Sequence, residues 1–174
     1  MVPGKQGIDR DTSRRSRIPL RDRLDQLADA RQSRRQHGSA GQGPGSVTYL
    51  PARSPGARLF IGDAHACQGD GEVCGVAVEC ATATTIRVDL IKGWTIDRPR
   101  LETESLLMAI SSARPLEDAT RITYRELIRW MVADYGFEKW DAYMLLSQCG
   151  IARLGNFVDP KYSVGAAVKK AILA

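Results

Sequence analysis

Eleven residues, Gly62-Asp63-Ala64-His65-Ala66-Cys67-Gln68-Gly69-Asp70-Gly71-Glu72, hold three carboxylates and one of only two histidines in the chain. Asp63, His65, Asp70 and Glu72 are hard or borderline donors, suited to holding a divalent cation or to relaying a proton. The glycines at 62, 69 and 71 let the backbone turn tightly and let a ligand approach it. The spacing is neither a zinc-finger nor an EF-hand pattern, so it names no metal.

These residues need elements to position them. If Phe60 to His65 is one strand and Asp70 to Ala77 the next, with a turn at 66–69, alternation puts Asp63 and His65 on one face and Asp70 and Glu72 on one face of the neighbouring strand. Such a hairpin predicts four ligating side chains on one side of a sheet edge, close enough to share an ion or to perturb one another's titration. The plain alternative is a polar hairpin whose carboxylates are solvated. Cys67, two residues from His65, is a rival nucleophile, although a lone thiol is more often structural. Cys149, placed near a helix C-terminus, is a weaker one, since that end disfavours a thiolate.

The chain of 174 residues carries a net charge of +5, which resides entirely in its first 46 residues: ten Lys plus Arg against five Asp there, fifteen of each sign in 47–174. The reading is therefore a disordered basic leader over 1–46, with a marginal helix at Pro19 to Arg35, followed by a neutral folded domain over 47–174. Arginines without aromatic interleaving make nucleic-acid binding by the leader a minor alternative. No run is long and apolar enough to span a membrane, and four cysteines without a framework (Cys67, Cys74, Cys80, Cys149) read as small buried side chains in a reduced, cytoplasmic protein. His37 has no partners in the sequence and receives no role.

From Val47 onward the texture predicts strands at Val47 to Leu50, Arg58 to Gly62, Glu72 to Ala81, Thr85 to Lys92 and Leu101 to Ser111, the fourth with Ile86, Val88 and Leu90 inward and Arg87 and Asp89 outward. Glu102 and Glu104 share a face of the last strand. After Pro115 the period becomes helical, giving a helix over about 115–135 closed by Gly136 and a second over Glu138 to Cys149 with Trp140, Tyr143, Leu146 and Cys149 on its apolar side. Arg125, Glu126 and Arg129 read as surface charges, and Trp130, Tyr135, Trp140 and Tyr143 as packing residues. Ile151 to Val158 and Tyr162 to Leu173 read as extended. The fold class expected is α+β: antiparallel, sandwich-like sheets with a helical hairpin on one face.

With these residues in view, the chain resembles the C-terminal part of the acetamidase/formamidase family, enzymes that hydrolyse small linear amides to a carboxylate and ammonia. The resemblance covers about 47–174. It is carried by Gly62-Asp63-x-His65-x-x-Gln68-Gly69-Asp70-Gly71-Glu72-Val73, by Tyr49-Leu50-Pro51 with Pro55-Gly56-Ala57, and by Ala142-Tyr143-Met144-Leu145-Leu146-Ser147-Gln148 through Val158-Asp159-Pro160. It implies a small amide substrate and a homo-oligomer, with Glu72, Asp70 and His65 catalytic. It also implies Gln68 and the Gly69 and Gly71 amides on the substrate, and a divalent ion, zinc or calcium, held among Asp63, His65, Asp70 and Glu72. Family members are about twice as long, so an inactive remnant, or a subunit completed by a partner, is the alternative expectation.

Overall fold

In the computed structural model, residues 42–56 and 59–173 are described. Ala52–Phe60 belong to one of two compact units, and the architecture below belongs to the other, which includes residues up to Pro51 and from Ile61 on. The expected leader and its helix lie outside the described residues, apart from a turn in which Ser46 N donates to the Gly43 carbonyl at 3.1 Å.

Two strands form the spine: β5 (Leu106–Ala113) and β7 (Tyr162–Lys169), antiparallel and paired from Leu106–Lys169 to Ala113–Tyr162. Around them stand β1 (Val47–Tyr49), β4 (Arg100–Glu102) and β6 (Ile151–Asn156), in the order β1-β4-β5-β7-β6. A separate two-stranded ribbon pairs β2 (His65–Cys67) with β3 (Val78–Glu79). Antiparallel sheets and two helices make the chain α+β, as its patterning predicts.

Helix α1 (Leu116–Tyr135) carries Glu117 and Asp118 in its first turn, where the helix dipole favours anions. It ends at Gly136, whose φ of 70° is left-handed and whose N–H returns to the Met131 carbonyl. Its buried positions Ala119, Thr123, Leu127, Trp130 and Met131 recur at helical spacing. Leu127, Trp130 and Met131 meet Leu107 and Ala109 of β5, Ala166 and Val168 of β7, and Ala142 and Leu146 of α2 (Lys139–Cys149) in one core. Both helices thus cover the same sheet face, and burying a side chain such as Leu127 contributes about 1.5–3 kcal/mol. The opposite face gathers Leu101, Met108, Ile110 and Ala167, which is why β5 reads as a continuous apolar run.

Several expectations are corrected. Leu101 to Ser111 is two strands, split where Thr103 N donates to the Leu106 carbonyl at 2.9 Å and Leu106 N to Thr103 Oγ1 at 3.0 Å, which puts Glu104 in a turn. Glu126 is a buried residue: Arg100 Nε and Nη2 both donate to its Oε1, at 2.9 and 2.8 Å, and the guanidinium lies over the rings of Trp94 and Trp130. An opposite charge on β4, invisible in the helix's own pattern, permits that burial. Helix α2 buries Ala142 and Leu146, leaving Trp140 and Tyr143 exposed. Cys67, Cys74 and Cys80 are exposed and Cys149 half-buried, not buried as a group. Residues 59–62 and 85–92 form no strand, because a strand without a neighbour has no ladder to stabilise it. Among the described residues, no helix is long and apolar enough to cross a membrane.

Candidate functional site

The polar segment is folded by the β2–β3 ribbon and by its docking to β6. The expected hairpin, Phe60 to His65 against Asp70 to Ala77, is displaced: His65 pairs with Glu79 and Cys67 with Val78, with a bulge between. Residues 70–77 fail as a strand because Gly71 and Glu72 both adopt positive φ, 89° and 42°, which ends alternation. Asp63 too is left-handed, at φ 62°, a conformation that aspartate tolerates better than most residues.

His65 is the centre. Its Nε2 lies 3.2 Å from Asp63 Oδ1 and 3.1 Å from Glu79 Oε1, while its Nδ1 lies 2.8 Å from Gln68 Oε1. Gln68 Nε2 donates to the Gly155 carbonyl at 3.1 Å, and this turns the amide oxygen toward Nδ1. An oxygen that can only accept requires Nδ1 to carry a hydrogen. Nε2 therefore faces two carboxylates, and its lone pair would be repelled there unless a proton or a cation stands between them. The Gln68 hydrogen bond raises the His65 pKa above its usual 6.5, aided by the charges of Glu79 and Asp63 and opposed by desolvation.

The same three residues, Asp63, His65 and Glu79, are the group among the described residues whose donor atoms all approach within 4.8 Å of one another. Donor separations of 3.1–3.2 Å about Nε2 are close to the edge of a tetrahedron around an ion bonded at about 2.1 Å, so the trio fits one divalent cation. A nitrogen ligand beside two oxygens suits zinc better than calcium.

Asp70 and Glu72 are not brought into this trio. Asp70 Oδ2 accepts from Arg153 Nη1 at 2.9 Å, tying its loop to β6. The Gly71 N–H donates to the Leu154 carbonyl at 2.8 Å and its carbonyl accepts from Phe157 N at 2.7 Å, so both its backbone groups are spent on that strand. Its left-handed backbone, φ 89°, favours glycine, while a Cβ there would lie in ordinary contact with Phe157 Cβ at 3.4 Å. Gly69 accepts from Glu72 N at 3.2 Å, and its own N–H has no backbone partner among the described residues. Glu72 is only 5% exposed. Its carboxylate has no hydrogen bond or ion pair among the described residues, and it lines a shallow cleft of about 340 Å³ with Cys67, Gln68, Asp70 and Val76. Such an unpartnered buried carboxylate is costly unless it has a task.

One contributor escaped the sequence reading, and a second, Gln68, is expected there on the substrate and not on His65. Glu79 lies fourteen residues beyond His65, and only the register across the ribbon makes them opposite. Gln68 could have been found as an orienter, since it stands three residues from the histidine, but its hold on Gly155 is long-range.

The profile of the acetamidase/formamidase family matches residues 40–172. Among solved structures, an acetamidase from Yersinia enterocolitica is 71% identical with a TM-score of 0.73, the match covering 76% of this chain and 40% of that one. An acetamidase from Bacillus halodurans is 30% identical with a TM-score of 0.68, over 74% of this chain and 44% of that one. A Schizosaccharomyces pombe protein, whose formamidase name is itself provisional, is 47% identical over 55 residues, 30% of this chain and 13% of that protein. The chain thus spans less than half the length of these relatives, and over that span it belongs to the acetamidase/formamidase family.

Proposed function

We propose that this chain forms the polar centre of a hydrolase of carbon–nitrogen bonds in small linear amides such as formamide and acetamide. One observation carries the reading: inside the family match, His65 Nε2 sits between the carboxylates of Asp63 and Glu79, and its partner Gln68 lines a cleft together with the unpartnered Glu72. In this reading Asp63, His65 and Glu79 would hold a divalent cation, zinc by the donor set. When bound, such an ion supplies Lewis acidity and lowers the pKa of water toward neutrality.

The chain's own residues do the rest. Glu72 takes a proton from the attacking water and returns it to the amide nitrogen, so that ammonia departs and a carboxylate remains. Its burial leaves it shielded from bulk water beside the cleft. Gln68 fixes the His65 tautomer and ring plane rather than binding substrate. The Gly69 N–H is the backbone donor left for the amide oxygen. Asp70, engaged with Arg153, anchors the loop instead of moving protons.

Ammonia release from formamide and acetamide by this chain tests the reading. The expected result is turnover that chelation abolishes, zinc restores, and Glu72→Gln lowers by about a hundredfold or more. Metal-free full activity would remove the metal role. No turnover from either amide with zinc supplied, by this chain alone or joined with the remaining part of the Yersinia relative, would remove the amidase reading.

A further inference from the structure

Residues 78–93 are exposed without exception, and residues 81–90 have no secondary structure. Among the described residues, none of 81–90 makes a backbone-to-backbone hydrogen bond. Yet Thr85-Ile86-Arg87-Val88-Asp89-Leu90-Ile91 is not a loop composition: it alternates, it is rich in β-formers and it has no glycine or proline. Arg87 Nε donates to Asp89 Oδ2 at 3.0 Å, a contact that the alternating pattern offers to side chains two residues apart. Ile86, Val88 and Leu90, the alternate positions of the pattern, are 47, 49 and 64% exposed. An alternating segment with bare apolar positions and no backbone ladder is a template for strand addition.

We propose that Thr85–Ile91 is a docking strand for the portion of the acetamidase/formamidase fold that this chain does not span, which pairs with its backbone and covers Ile86, Val88 and Leu90. The segment lies within the matched range of 40–172. The two solved acetamidases that match three quarters of this chain each run on for more than half their own length, so the fold in which this segment occurs has ample further chain to lay against it. Arg87 and Asp89 neutralise each other and both stay exposed. The inference stands apart from the catalytic reading, and its test reads binding.

The full chain is mixed with the unmatched portion of the Yersinia acetamidase as a separate polypeptide, and light scattering and hydrogen exchange are recorded. The expected result is a one-to-one complex in which the amides of 85–91 exchange at least about tenfold more slowly. Val88→Lys with Leu90→Lys should weaken it by about tenfold or more, whereas Arg87→Ala with Asp89→Ala should not. The thermal transition of each free variant is recorded alongside, and Val88→Thr with Leu90→Thr replaces the lysine pair if that transition moves. The proposal is overturned by no complex, by a complex that leaves 85–91 unprotected, by undiminished binding of the apolar-face variants, or by protection of 85–91 already present in the free chain, whether through self-association or through residues 1–41.

Discussion

The β5–β7 spine and the segment from Ile61 to Gly93 both carry runs of apolar residues, with opposite fates. Around the spine, Leu107, Ala109, Leu127, Trp130, Met131, Ala166 and Val168 are all buried against one another. In the other segment Ile61, Val73, Val76, Val78, Val88 and Leu90 are exposed. Pattern is the same kind of signal in both; among the described residues, only the first has its partners. The difference teaches that alternation predicts which face wants covering, not that a cover is present.

Substitutions should separate the two regions sharply. The largest loss is expected from Glu126→Ala, which leaves Arg100 charged and buried between Trp94 and Trp130; about 3–5 kcal/mol of unfolding free energy should disappear in denaturant titration. Arg100→Met with Glu126→Leu should recover much of it, and no recovery would mean that packing rather than the orphaned charge sets the loss. Gly71→Ala should cost about 1–3 kcal/mol, since a left-handed backbone must then accept a Cβ against Phe157; an unchanged thermal midpoint would show that the docking to β6 is loose. In the free chain, Val88→Ala should stay within about 0.5 kcal/mol, and a loss as large as a core truncation would mean that the segment is already covered.

The smallest and most local effect is a titration. In metal-free protein the His65 imidazole should titrate above 6.5 by NMR, because the Gln68 carbonyl bond and then the Glu79 and Asp63 charges favour the protonated ring. The stabilisation that this shift confers is fully present below the unfolded value and is lost as pH rises through the folded one. Gln68→Leu should lower the pKa, and a His65 pKa at or below 6.5 in the parent chain would contradict the geometry.

What could be read from the sequence follows the same division. Helix α1 was readable to within a residue because its period, its proline start and its Gly136 cap are local signals. The identity of Asp63 and His65 as a polar pair was equally local. Glu79 was not, because a loop of ten residues separates the strands whose register sets it opposite His65. Asp70 and Glu72 were grouped with them by alternation, which two successive left-handed residues annul. Glu126 was misread as surface because its partner lies on β4, twenty-six residues earlier.

The central claim is that the polar centre closes on Glu79 rather than on Asp70. Zinc titration of the metal-stripped full chain, comparing the parent with Glu79→Gln and Asp70→Asn, tests it most directly. The account predicts one ion bound per chain, an affinity reduced by about tenfold or more in Glu79→Gln, and an affinity unchanged in Asp70→Asn. Loss of binding in Asp70→Asn with full binding in Glu79→Gln would contradict it.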